Sequence, residues 1–110
     1  MIIEKPWGSE EILEQNSDYV VKRLLMKRGH RCSLQYHEYK TETIYVLYGI
    51  LKIQINDIET EFHPNQHITI YPGQIHRMTG VEDSVYLESS TTQLDDVIRI
   101  NDDYNRIVEK

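Results

Sequence analysis

The 110-residue chain is predicted to fold as one all-β domain, a small sandwich or barrel. Three observations carry this expectation. Short apolar, β-branched runs recur along the chain, Gly, Pro, Asn and Asp punctuate them, and no long segment shows a helical period. At this length a single hydrophobic core suffices without metal or disulfide staples.

Residues 1–18 read as an N-terminal arm, in which Glu10 to Gln15 is a candidate short helix and Trp7 an anchor. The barrel is expected over about residues 19–100. Tyr19 to Met26 (YVVKRLLM) is its first strand, closed by the turn Arg28-Gly29-His30. Ser33 to His37 is a short second strand. Thr43 to Asn56 holds two β-rich runs split at Gly49, and Leu51, Ile53 and Ile55 alternate with Lys52 and Gln54, the mark of a strand with one wet face. Asn56-Asp57 turns the chain into Ile58 to Phe62. His67 to Tyr71 alternates again, and Pro72-Gly73 bends it into Ile75 to Met78. Ser84 to Ser89 and Val97 to Ile100 are the last strands. The tail, 101–110, contains a second candidate helix over Asp102 to Lys110.

Composition narrows the function classes. Eighteen Asp and Glu against 12 Lys and Arg give a formal charge of −6, which argues against nucleic acid and anionic membrane as partners. No stretch approaches the roughly 18 apolar residues of a membrane span. The opening MIIEKP lacks the layout of a secretion signal, and one cysteine suits a reducing compartment, so a cytoplasmic location is expected. The charge is uneven: residues 1–55 carry eight basic and seven acidic side chains, residues 56–110 four and eleven. An anionic ligand would find most of its partners in the first half, plus placed arginines such as Arg77 and Arg99.

Four residues could share one site. Gln35 and His37 are two apart on a strand and so project from one face. Glu42 opens the next strand, and His76 follows the Pro72-Gly73 turn. Imidazole nitrogen, carboxylate oxygen and amide oxygen form a mixed set suited to a divalent transition metal, open among zinc, manganese, iron, cobalt and nickel. His30, His63 and His67 read as structural or exposed, and Cys32 as an inert buried thiol on the strand beside Ser33. Tyr36, Tyr45, Tyr48 and Tyr71 suit a barrel lumen or a dimer seam.

The segment Gly29 to Gly49 (GHRCSLQYHEYKTETIYVLYG) resembles the first cupin motif, and Pro72 to His76 (PGQIH) the core of the second. The resemblance is to the type II mannose-6-phosphate isomerase domain, including the isomerase part of bifunctional guanylyltransferases. It extends over about residues 5–106 through Lys5-Pro6-Trp7-Gly8-Ser9, Val21-Lys22-Arg23-Leu24, Asn65-Gln66, Ile75-His76-Arg77 and Asp95-Asp96-x-x-Arg99. The usual His-x-His is here Gln35-x-His37, Gly80 replaces an Asn, Ile44 an aromatic, and the stretch from Glu88 to Arg99 is about three residues short.

The resemblance implies a cupin double-stranded β-helix, a jelly-roll barrel, with one divalent metal on Gln35, His37, Glu42 and His76. It also implies aldose–ketose isomerisation of a sugar phosphate. Arg99 and Lys40 are expected as catalytic residues, and Arg77, Arg31 and Tyr36 as substrate-binding ones. Family habit and open strand edges imply a homodimer. Two other readings stay open: a cupin that binds a sugar or nucleotide-sugar without converting it, and a metal-dependent oxygenase.

Overall fold

The computed structural model describes residues 1–107. Eleven strands form two antiparallel sheets: β1 (Ile2–Lys5), β2 (Gly8–Gln15), β3 (Val20–Met26), β4 (Leu34–Tyr36), β5 (Glu42–Tyr48), β6 (Leu51–Ile55), β7 (Ile58–Phe62), β8 (His67–Ile70), β9 (His76–Gly80), β10 (Ser84–Ser90) and β11 (Ile98–Asn101). The larger sheet runs β1-β2-β3-β10-β5-β8 and the smaller β11-β4-β9-β6-β7. The chain passes between them at tight turns. Gly49, at φ 79°, links β5 to β6, and a Cβ there would lie 2.2 Å from the Asp83 carbonyl oxygen, so only glycine fits. The Pro72-Gly73 turn leads β8 into β9, and the Gly73 N–H donates to the His37 carbonyl (2.8 Å).

Period-2 alternation decides what faces inward. Leu24 and Met26 of β3, Ile44 and Val46 of β5, and Tyr86 of β10 meet Leu51 and Ile53 of β6, all buried. The same phase continues toward one end of the barrel with polar residues: Glu10, Lys22, Glu88 and Glu42 are buried on the inner face of the larger sheet.

Two helix expectations are corrected. Glu10 to Gln15 belongs to strand β2, paired with both β1 and β3, because its inward residues find a sheet edge to complete. Residues 102–107 form a turn and irregular chain, where Asp102 spends its carboxylate on Arg106; residues 108–110 of that expectation lie outside the described residues. The expected arm is likewise sheet over most of its length, with Trp7 buried as anticipated. Cys32 is buried but precedes β4. Burial pushes its thiol up to about 11, and Sγ accepts the Met78 N–H at 3.3 Å.

Candidate metal centre

Strand register assembles the site. On the inner face of the smaller sheet Arg99 of β11 lies opposite Gln35 of β4, and Gln35 opposite His76 of β9. His37 follows β4 in the same phase as Gln35. On the facing sheet Glu42 opens β5, opposite Ile70 of β8 and Ser90 of β10. His37, Glu42 and His76 are 2%, 1% and 0% exposed, and their ligand atoms all lie within 4.8 Å of one another.

The histidine tautomers follow from their outer partners. His37 Nδ1 donates to the Asp96 carbonyl, and His76 Nδ1 donates to the Gln74 carbonyl at 2.9 Å. In neutral imidazoles this leaves each Nε2 as a lone pair. Both point at Glu42 Oε1, 2.9 Å and 3.1 Å away. Three acceptors then converge with no proton between them, and a cation resolves that conflict. Imidazoles fixed by carbonyls at the second nitrogen are also the usual outer shell of a metal ligand. Gln35, beside His76 across the strands, can add a neutral fourth ligand; its Oε1 now accepts the Ser33 hydroxyl at 2.8 Å. The donor set therefore fits a divalent metal.

A cavity of about 110 Å³ adjoins the cluster, lined by Gln35 and His37 together with Lys40 and Arg99. Lys40 is buried, on a loop whose Glu38, Tyr39 and Lys40 N–H groups all donate to the Asp96 carboxylate (2.7–3.1 Å). These bonds outweigh desolvation and hold Asp96 below the ordinary carboxylate range. Arg99 has a buried Nε with no hydrogen-bond partner among the described residues.

Three expected substrate residues lie elsewhere. Arg77 alternates with His76, so it leaves the inner face, and it donates to the carbonyls of Cys32 (3.0 Å) and Asn101 (3.2 Å). Arg31 forms a two-pronged bond with Asp103 (2.7 and 2.9 Å). Tyr36 falls between Gln35 and His37 in phase and pairs with Ile98 on the smaller sheet. None of the three lines the cavity. Nor do Tyr45, Tyr48 and Tyr71, of which Tyr48 and Tyr71 are exposed.

Other cavity residues escaped the sequence reading. Lys22 pairs with Glu10 and lies 3.9 Å from Glu88, while Lys5 reaches Glu10 at 3.5 Å. Arg106 also lines the cavity, its guanidinium held by Asp102 (2.8 and 2.9 Å). Glu88 sits diagonal to Glu42 across β10 and β5. Burial and the Glu42 charge push Glu88 well above the usual carboxylate range, whereas Glu42, despite burial, is held well below it by the Glu88 hydrogen bond and the Lys40 charge. One proton thus resides on Glu88, the donor available to the otherwise unpartnered Glu42 Oε2. A charged residue in the inward phase of a strand, as in Val20-x-Lys22-x-Leu24, was the readable signal.

The model of a protein family described as "Mannose-6-phosphate isomerase C-terminal" matches residues 1–102. The chain belongs to this family. Relatives of this chain include a mannose-1-phosphate guanylyltransferase of Sinorhizobium fredii, 31% identical over 105 residues, covering 90% of this chain and 20% of that protein. Another is the alginate biosynthesis protein AlgA of Pseudomonas aeruginosa, 27% identical over 117 residues, covering 97% and 23%. The chain thus spans about a fifth of the length of these curated relatives. Among solved structures, KdgF from Halomonas sp. superposes with TM-score 0.80 at 16% identity, covering 86% of this chain and 88% of that one. An RmlC-like cupin from Shewanella frigidimarina gives 0.78 at 11%, covering 86% of each. These likenesses show the fold, the double-stranded β-helix of the cupins that the motifs implied. Among the described residues no helix is long and apolar enough to cross a membrane.

Proposed function

We propose that the chain is a metal-binding cupin that isomerises a sugar phosphate, with mannose 6-phosphate and fructose 6-phosphate as the reference pair. The observation that carries this reading is the convergence of two imidazole lone pairs and a carboxylate beside a cavity lined with cations. Family membership supports the substrate class.

Aldose–ketose isomerisation moves a proton between adjacent carbons while negative charge develops on oxygen. A divalent ion held by Gln35, His37, Glu42 and His76 supplies Lewis acidity toward the sugar oxygens. Lys40 and Arg99 offset the developing charge and the phosphate, and the unpartnered Arg99 Nε is a donor ready for them. Arg106 takes the phosphate-side role first expected of Arg77 and Arg31, since it lines the cavity and they do not. Asp96 fixes His37 through its carbonyl and the Lys40 loop through its carboxylate, so it positions both groups. The buried, unpaired thiol of Cys32 suits a cytoplasmic setting.

A second reading has its own support: the relatives named above include a guanylyltransferase and span far more than this domain. The chain would then bind a sugar or nucleotide-sugar without converting it. Protein loaded separately with zinc, manganese, iron, cobalt and nickel, assayed against hexose and heptose phosphates, separates the two. Turnover establishes the isomerase; its absence in every metal form overturns it, and micromolar sugar-nucleotide binding without product then supports the second reading.

A further inference from the structure

The cavity continues past the metal ligands along the inner face of the larger sheet. There Lys22 stands opposite Glu88 on β10, with Glu10 reaching it from β2. All three are buried, at 7–8% exposure, although nothing in the fold requires charge at this point: Leu24 and Met26 fill the same inward phase two and four residues on. Burying an ion pair in place of apolar side chains of similar volume seldom stabilises a domain. Tyr86, beside them on β10, is 0% exposed and lines the same cavity, yet its hydroxyl has no hydrogen-bond partner among the described residues. A buried hydroxyl left without a partner opposes folding, so an orphan of this kind marks a place where a ligand atom completes the set.

We propose that Lys22, braced by Glu10 and Glu88, and the Tyr86 hydroxyl form a subsite that binds hydroxyl groups of the sugar ligand and so decides which sugar is accepted. The subsite rests on the sugar-phosphate reading above. Its chemistry is distinct from that of the phosphate side. An ammonium and a phenol donate to neutral hydroxyl oxygens, and the flanking carboxyl groups accept from hydroxyl hydrogens. The cations Lys40, Arg99 and Arg106 would meanwhile hold the phosphate. Removing one neutral donor should weaken a hydroxylated ligand about threefold to tenfold, and removing the charged one more. Neither change should affect an ion that has no hydroxyl arm.

The test compares zinc-loaded wild type, Tyr86→Phe and Lys22→Met by calorimetry against inorganic phosphate, mannose 6-phosphate and 2-deoxyglucose 6-phosphate. Tyr86→Phe keeps the ring and removes only an unpartnered oxygen, so it serves where Lys22→Met fails to fold. Weakened binding of mannose 6-phosphate with unchanged inorganic phosphate binding and zinc content supports the subsite. So does a smaller penalty for the deoxy sugar in the variants than in wild type. Equal affinity of Tyr86→Phe and wild type for mannose 6-phosphate overturns the subsite while leaving the sugar-phosphate reading intact. Wild type that binds inorganic phosphate but neither sugar phosphate overturns both. Sugar binding present in wild type and lost in the variants, with no turnover by wild type in any of the five metal forms, supports the subsite and overturns the isomerase.

Discussion

The barrel interior divides into two regions built by the same alternation but filled with opposite chemistry. In one, β6, β7 and β8 turn Ile53, Phe62 and Ile70 inward, and Ile55 and Ile68 border an apolar hollow of about 490 Å³. In the other, β2, β3, β10 and β5 bury Glu10, Lys22, Glu88 and Glu42 in the positions that apolar side chains would occupy. Removing apolar surface from water contributes roughly 25 cal/mol per Å², whereas desolvating charge opposes folding unless every group is matched. Matching is incomplete at the charged end: Glu42 and Glu88 share one proton, and Tyr86, Arg99 and His76 each leave a buried polar atom unpartnered. The apolar region holds the fold, and the charged region is organised for something that enters it.

The comparison breaks hardest at Glu42. Glu42→Gln keeps the side chain's size but removes the anion on which both Nε2 lone pairs converge. Metal affinity should fall by about 100-fold or more, since losing even an outer-shell partner costs roughly 10- to 100-fold. The metal-free variant should melt no lower than wild type, because a glutamine amide can donate to an Nε2 lone pair where the carboxylate can only accept. Chelator competition measures the first effect and thermal denaturation of the metal-free protein the second; retained affinity would remove Glu42 from the centre. The mirror experiment is Ile53→Ala at 1% exposure in the apolar region. It should cost about 2–5 kcal/mol in urea denaturation and leave metal stoichiometry unchanged. If stoichiometry fell with stability, the two regions would be one cooperative unit rather than a scaffold and a site.

Much of this division is legible in the chain itself. Residues whose environment repeats locally were read correctly: Ile58 to Phe62 is β7 residue for residue, and the breaks at Gly49 and Pro72-Gly73 fall where the chain changes sheet. His37, Glu42 and His76 were placed together because strand phase and turn position fix which way they point. What failed depended on pairing between distant strands. Glu10 to Gln15 (EILEQ after Glu10) has helix-favouring residues, and only the offered edge of β3 makes it a strand. Arg77 and Arg99 look alike in sequence, yet one residue's offset from His76 turns the first away, while pairing with Gln35 turns the second inward. Lys22, Glu10 and Glu88 carry no site signal in the sequence, because a charged side chain in an otherwise apolar strand ordinarily marks its wet face.

The smallest effect concerns how far the charged region reaches into the tail. Arg106 lines the cavity only while Asp102 holds it, through two side-chain bonds and one from the Arg106 N–H (2.7 Å). The Arg106 guanidinium lowers Asp102 from 3.8 to about 2. A depressed carboxyl of this kind contributes order that is fully present above its unfolded value near 4 and lost as pH falls through its folded value. The tail should therefore stay docked from neutral pH to about pH 4 and release toward about pH 2, with the Asp102→Asn tail loosened at every pH. Because Tyr104 of this segment packs against His30 and the core, amide exchange over residues 102–107 reads the release directly. A tail that exchanges equally fast at pH 7 and pH 2 would show that Arg106 is not held at the cavity, and the phosphate side would then rest on Lys40 and Arg99 alone.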